Sequence, residues 1–162
     1  MTVTLEPATT AHAAELAPAL CLADLAEVWA LGYFDAYDAL RQSLEASTLA
    51  WAARIGGELA AVFGVVPLAT DSLLGANRMG CVWLLTGRAV AASPMAFWRA
   101  LRAGVRMVLA AAGHDTLTNA IDERHAAALS TWERLGVHWV GVEPVAQPGL
   151  QFRRFVLEVS HA

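Results

Sequence analysis

The chain has 162 residues, of which 57% are hydrophobic and 16% charged, enough apolar side chain to close one sizeable core around one domain spanning residues 1–162. Its net charge of −4 argues against general nucleic-acid binding. No apolar run approaches the roughly 20 residues of a bilayer-crossing helix, and the start lacks the cationic stretch of a secretory signal, so a cytoplasmic protein with no membrane partner is expected.

"MTVTLEP" alternates Val3 and Leu5 with polar neighbours and stops at Pro7, as a strand does. A helix opens at Thr10, with Ala13, Leu16, Ala17 and Leu20 at helical spacing. Further helical runs follow over Asp24 to Leu31 and Asp35 to Ala46. Leu49 to Ile55 and Leu59 to Val65 alternate on either side of Gly56 and Gly57, the pattern of a hairpin. After the loop "LATDSLLGAN", Arg78 to Thr86 forms a strand too apolar for either face to be wet, hence a central one, and Gly87 breaks it. Ser93 and Pro94 make a strong helix start, with Ser93 capping and Pro94 in the first turn. That helix buries Phe97, Leu101, Val105 and Val108, turns Arg99, Arg102 and Arg106 to another face, and closes at Gly113. Thr116 to Ile121 is a strand, Asp122 is the expected cap of the next helix, and Gly136 ends it. Val137 to Val142 and Phe152 to Val159 pair around "QPG".

Charge is uneven along this order. The first forty residues hold Glu6, Glu15, Asp24, Glu27, Asp35 and Asp38 against no Lys or Arg, an acidic surface able to recruit a cation. All eleven basic residues are arginines, which removes phosphate-loop and Schiff-base lysines. Cys21 and Cys81 lack metal-ligand spacing, so no zinc site and no disulfide framework is expected. Asp24 and Glu27 lie one helical turn apart and share a face, which suits them to attract an ammonium and take its proton.

The order of elements is similar to that of the GNAT superfamily of N-acetyltransferases, and the likeness is most specific at "DERHAAALSTWERLGV". An Asn, Ala, Tyr and Gly at fixed offsets are common on that helix, and here those offsets hold His125, Ala128, Trp132 and Gly136. The pieces "LADLAEVWALG", "AVFGVVPL", "VWLLTG", "SPMAFWRALR" and "GLQFRRFVL" further resemble a bacteriophage acetyltransferase-like family that includes internal virion proteins of short-tailed phages and related prophage proteins.

The resemblance implies an α/β (α+β) fold with a mixed, mostly antiparallel central sheet of six or seven strands flanked by helices. It implies acetyl-CoA as cofactor and an amine, on a small molecule or a protein, as acceptor. Leu84, Leu85 and Thr86 would meet the thioester with a backbone amide where the central strand splays from its neighbour. The phosphates would rest on Arg88 to Ser93, where the two expected glycines are missing and Pro94 deletes an amide. Trp132 stands where a tyrosine usually donates a proton, and an indole cannot. His125 titrates in the right range to act instead if it points inward. Asp24, Glu27 and His125 are therefore the candidate catalytic residues, and Leu84, Leu85, Thr86, Arg88, Ser93, His125 and Trp132 the candidate cofactor contacts. A homodimer is compatible with this reading. The alternative is a non-catalytic phage protein that contacts a virion or host protein through Trp29, Tyr33, Phe34 and Tyr37.

Overall fold

A computed structural model describes residues 2–68 and 78–158, apart from the side chains at 109, 110 and 112. Seven strands form one sheet: β1 (Val3–Pro7), β2 (Leu49–Ile55), β3 (Glu58–Pro67), β4 (Met79–Thr86), β5 (Thr116–Asp122), β6 (His138–Pro144) and β7 (Gln151–Glu158). Their spatial order is β1-β2-β3-β4-β5-β7-β6. Only β4 and β5 run parallel; the other neighbours are antiparallel. The expected mixed sheet is thus observed, with the apolar strand at its centre. Most of the expected loop before β4 lies outside the described residues.

Among the described residues six α-helices flank the sheet: α1 (Thr10–Leu16), α2 (Leu22–Ala30), α3 (Ala36–Ala46), α4 (Ala89–Ala92), α5 (Pro94–Ala112) and α6 (Ala126–Arg134). Period-2 strands send alternate residues to opposite faces, and two cores result. On one face Phe63, Val65, Leu101, Val105, Leu117, Trp132 and Phe155 pack together under α5 and α6. On the other, Leu16, Leu40, Val62 and Trp83 pack under α1 and α3. Burying a side chain of the Leu or Phe class contributes about 1.5–3 kcal/mol, so these two layers hold the helices to the sheet. Close approach of α5 depends on Gly104, where an added Cβ would lie 2.5 Å from Cζ of Phe63.

Local signals set most element ends. Asp35 caps α3 by accepting from the amides of Tyr37 and Asp38 at 2.7 and 3.1 Å. Gly113 closes α5 in the left-handed region, φ 64°. Two expectations fail. Ser93 does occupy the N-cap position of α5, but its side chain makes no cap hydrogen bond. Asp122 does not cap α6: it remains in β5, opposite Phe152 of β7, and His125 is the N-cap, its Nδ1 accepting from the Ala128 amide at 3.3 Å.

Candidate functional site

β4 and β5 pair only over Met79 to Cys81 with Thr116 to Thr118, and beyond that point they part. Thr86 and Gly87 at the far end of β4 find other partners: Cys21 N donates to Thr86 O at 2.9 Å, and Leu20 bridges Gly87. Between these two regions the backbone of β4 faces a gap. Leu85 is opposite Val62 on β3, and the Thr86 amide donates to Asp24 Oδ2 at 2.7 Å on the gap side. Strand alternation then turns the Leu84 amide into the same gap.

Helix α2 spans the opening. Its Asp24 is 4% exposed, accepts from the amide and hydroxyl of Thr86 on β4, and takes a further bond from Cys21 Sγ at 3.1 Å. One turn later, Glu27 Oε1 accepts from the Asp122 amide on β5 at 2.8 Å. The two carboxylates each hold one of the parted strands. His125 does point inward: its Nε2 lies 3.1 Å from Asp24 Oδ1, with only 10% of the side chain exposed.

Two cavities meet at the gap. One, about 210 Å³, opens between α2, α3 and the sheet. The other, about 240 Å³, lies on the α5 and α6 side and includes Phe97, Trp98, His125 and Ala128. Glu27, Leu84, Ile121 and Trp132 line both. Trp132 is buried and stacked on Phe155 with ring centroids 4.6 Å apart, so it forms the floor between them.

Burial pushes the Glu27 carboxyl up to about 7, against the Asp122 amide and nearby His125, which favour its charged form. Burial also works against a charged His125, but the bond to Asp24, the Cys21 contact and the charges of Glu27 and Asp24 outweigh it and raise its pKa. A second proton would sit on Nδ1, where the Ala128 amide now donates, so charging the ring costs the α6 cap. Nε2 carries a hydrogen, donated to Asp24 Oδ1. Both nitrogens are then occupied.

Arg88 to Ser93, expected to cradle phosphates, contains a one-turn helix instead. Gly87 N donates to Ala60 O at 2.8 Å and Arg88 N to Ala19 O at 3.0 Å. The amides of Val90, Ala91 and Ser93 donate to the carbonyls of Gly87, Arg88 and Val90. The Arg88 side chain reaches back to Pro18 O at 3.5 Å. Residues 87–93 therefore lack the row of free loop amides that would hold a diphosphate, whereas the β4 gap opens onto a cavity on the α5 and α6 side.

The chain matches no protein-family model and no curated protein. Solved structures do match over nearly its whole length. An acetyltransferase of the GNAT family from Streptococcus pneumoniae aligns with 98% of this chain and 99% of its own, at 12% identity and a TM-score of 0.64. A GCN5-related N-acetyltransferase from Kribbella flavida aligns over 96% and 97%, at 17% identity and 0.67. Aminoglycoside acetyltransferase AAC(6')-Ib in complex with coenzyme A aligns over 97% and 95%, at 17% identity and 0.67.

The fold is that of the GNAT N-acetyltransferases. Within this GNAT fold, Asp24, Glu27, His125, Leu84, Thr86 and Trp132 converge on the gap, while Arg88 and Ser93 line neither cavity and have their amides engaged. Nothing in the comparisons supports the narrower phage resemblance. Among the described residues no helix is long and apolar enough to cross a membrane. Sequence reasoning missed Cys21 as a partner of Asp24; the helical spacing of the two residues was the available signal.

Proposed function

We propose that this protein is an N-acyltransferase, taking an acetyl group from acetyl-CoA to a primary amine, with Glu27 as general base. The observation that carries this reading is the place of Glu27: a carboxyl raised to about 7, on the wall shared by two cavities that meet where β4 and β5 part. A base poised near the working pH is what proton removal from an ammonium requires. When bound, acetyl-CoA supplies an activated thioester. Leu84 would offer its carbonyl the backbone amide turned into the gap, a fixed donor needing no reorganisation. Glu27 accepts the ammonium proton. Asp24 and His125 are positioning residues: they lock the end of β4, the start of α6 and thereby the width of the gap. Trp132 closes the floor and donates no proton.

The test is release of thiol from acetyl-CoA with a simple amine, together with thermal melting. A ligand at 100 times its Kd stabilises by about 2.7 kcal/mol, so millimolar acetyl-CoA is expected to raise Tm, and Glu27→Gln to lower kcat/KM by about 10²–10⁴. Absence of both thiol release and a Tm shift at millimolar acetyl-CoA overturns the reading.

A second reading draws on the engaged amides of Gly87, Arg88, Val90, Ala91 and Ser93: a non-catalytic protein of phage or prophage type that keeps the fold and contacts a virion or host protein. Trp29 and Phe34, 53% and 95% exposed, are its contact residues. A flat response to acetyl-CoA, with capture of such a partner lost in Phe34→Ala, supports it.

A further inference from the structure

The cavity on the α2 and α3 side differs from its neighbour in what it offers an acceptor. Its apolar wall includes Val28, Leu31, Val66, Trp83, Ile121 and Phe152. Two of its polar side chains are engaged elsewhere. Trp83 Nε1 donates to Ser47 Oγ at 2.8 Å, leaving the indole face, and Asn119 Oδ1 accepts from the Ala120 amide at 2.7 Å. Burial pushes the Cys81 thiol up, so it stays neutral. Among the described residues, Glu27 is the single charged side chain lining this cavity. One of its oxygens takes the Asp122 amide, and the other has no hydrogen-bond partner among the described residues. Among the described residues no arginine or histidine lines it to meet a carboxylate or phosphate.

Size narrows the choice further. An apolar cavity of about 150 Å³ holds benzene, and this one, at about 210 Å³, adds room for a short chain.

Resting on the amine-transfer reading above, we infer that the acceptor is a compact primary amine with one positive charge and an apolar body, the size of a phenylethylamine, and that polycations and amino acids are rejected. The ammonium pairs with the free oxygen of Glu27 while the apolar body lies among Trp83, Leu31 and Phe152. A second ammonium would be buried without a carboxylate, and a carboxylate would be buried without a cation, each a heavily penalised arrangement. In the transfer step the ammonium passes one proton to Glu27, the amine nitrogen forms the new bond to the acyl carbon, the carbon–sulfur bond breaks with its electrons on sulfur, and the second proton lost by the nitrogen goes to the departing thiolate, giving an amide and a free thiol.

The experiment titrates phenethylamine, spermidine and phenylalanine into the full chain without donor, reading tryptophan fluorescence from Trp83 and Trp132, and then measures acetyl transfer to each. Phenethylamine is expected to bind at least about 30-fold more tightly than either competitor, a preference lost in Glu27→Gln. Ser43→Glu, which adds a second carboxylate to the wall, should shift preference toward spermidine. Spermidine or phenylalanine binding as tightly as phenethylamine, or no binding of phenethylamine, overturns the inference. Preferred transfer to spermidine overturns it while leaving the transferase reading intact. Selective binding of phenethylamine without any transfer removes the transferase reading and leaves the monoamine pocket standing.

Discussion

Replacing Glu27 by glutamine tests the electrostatics of the site without reference to any ligand. The side chain keeps its shape and its acceptor for the Asp122 amide, but can no longer ionise. Folding raises the carboxyl from an ordinary 4.5 to about 7, chiefly by burial, which corresponds to about 3 kcal/mol between its two protonation states. For a group raised on folding, the stabilising contribution is complete below pH 4.5 and is lost as pH climbs through 7. Glutamine resembles the protonated form at every pH. The variant should therefore match the parent at pH 4 and exceed it at pH 8 by about 2–3 kcal/mol, a Tm difference of about 5–10 °C for a chain of this size. Thermal melts followed by circular dichroism between pH 4 and 9 measure this directly. Parallel Tm curves for the two proteins across that range would show that Glu27 ionises as an exposed carboxylate does, and the reasoning would be wrong.

The same group sets a kinetic expectation: kcat/KM for acetyl transfer should rise with pH through about 7 and lose that inflection in Glu27→Gln, as read from initial rates of thiol release. His125→Ala removes both the α6 cap and the Asp24 contact and should lose about 1–2 kcal/mol in a urea titration, whereas His125→Asn, which retains a capping oxygen, should recover much of it. Because the amides near Arg88 are engaged, S-acetyl-pantetheine should bind within about tenfold of acetyl-CoA by calorimetry; free loop amides would give a far larger gap, since each charge-assisted bond is worth about 1.5–3 kcal/mol. Gly104→Ala presses on the Phe63 ring and should lower stability by about 1–3 kcal/mol, measured by the same urea titration.

The β2–β3 hairpin was legible because its period-2 pattern surrounds two glycines, both at positive φ. Helix α5 was legible because Pro94 and Gly113 bound one apolar stripe. Helix α4 was not: "AVAA" occupies the place of an expected loop, although alanine is the strongest helix former and supplied the local cue. The α6 cap was misassigned because Asp outranks His at N-caps. Asp122 is kept in β5 by its pairing with Phe152, and its carboxylate accepts from the Arg124 amide at 2.8 Å, a local turn bond. That Asp24 and Glu27 share a face follows from their spacing. Their different environments do not, because those depend on Thr86, 62 residues from Asp24, and on Asp122, 95 residues from Glu27.

Helix α2 acts as a spreader bar between two strands: Asp24 grips the end of β4 and Glu27 grips the end of β5. The Asp122 amide stays on Glu27 only at the present separation of the strands, so a guest that wedged them further apart would strain that bond. That amide is one of the groups favouring the ionised carboxyl, so its loss strengthens the base.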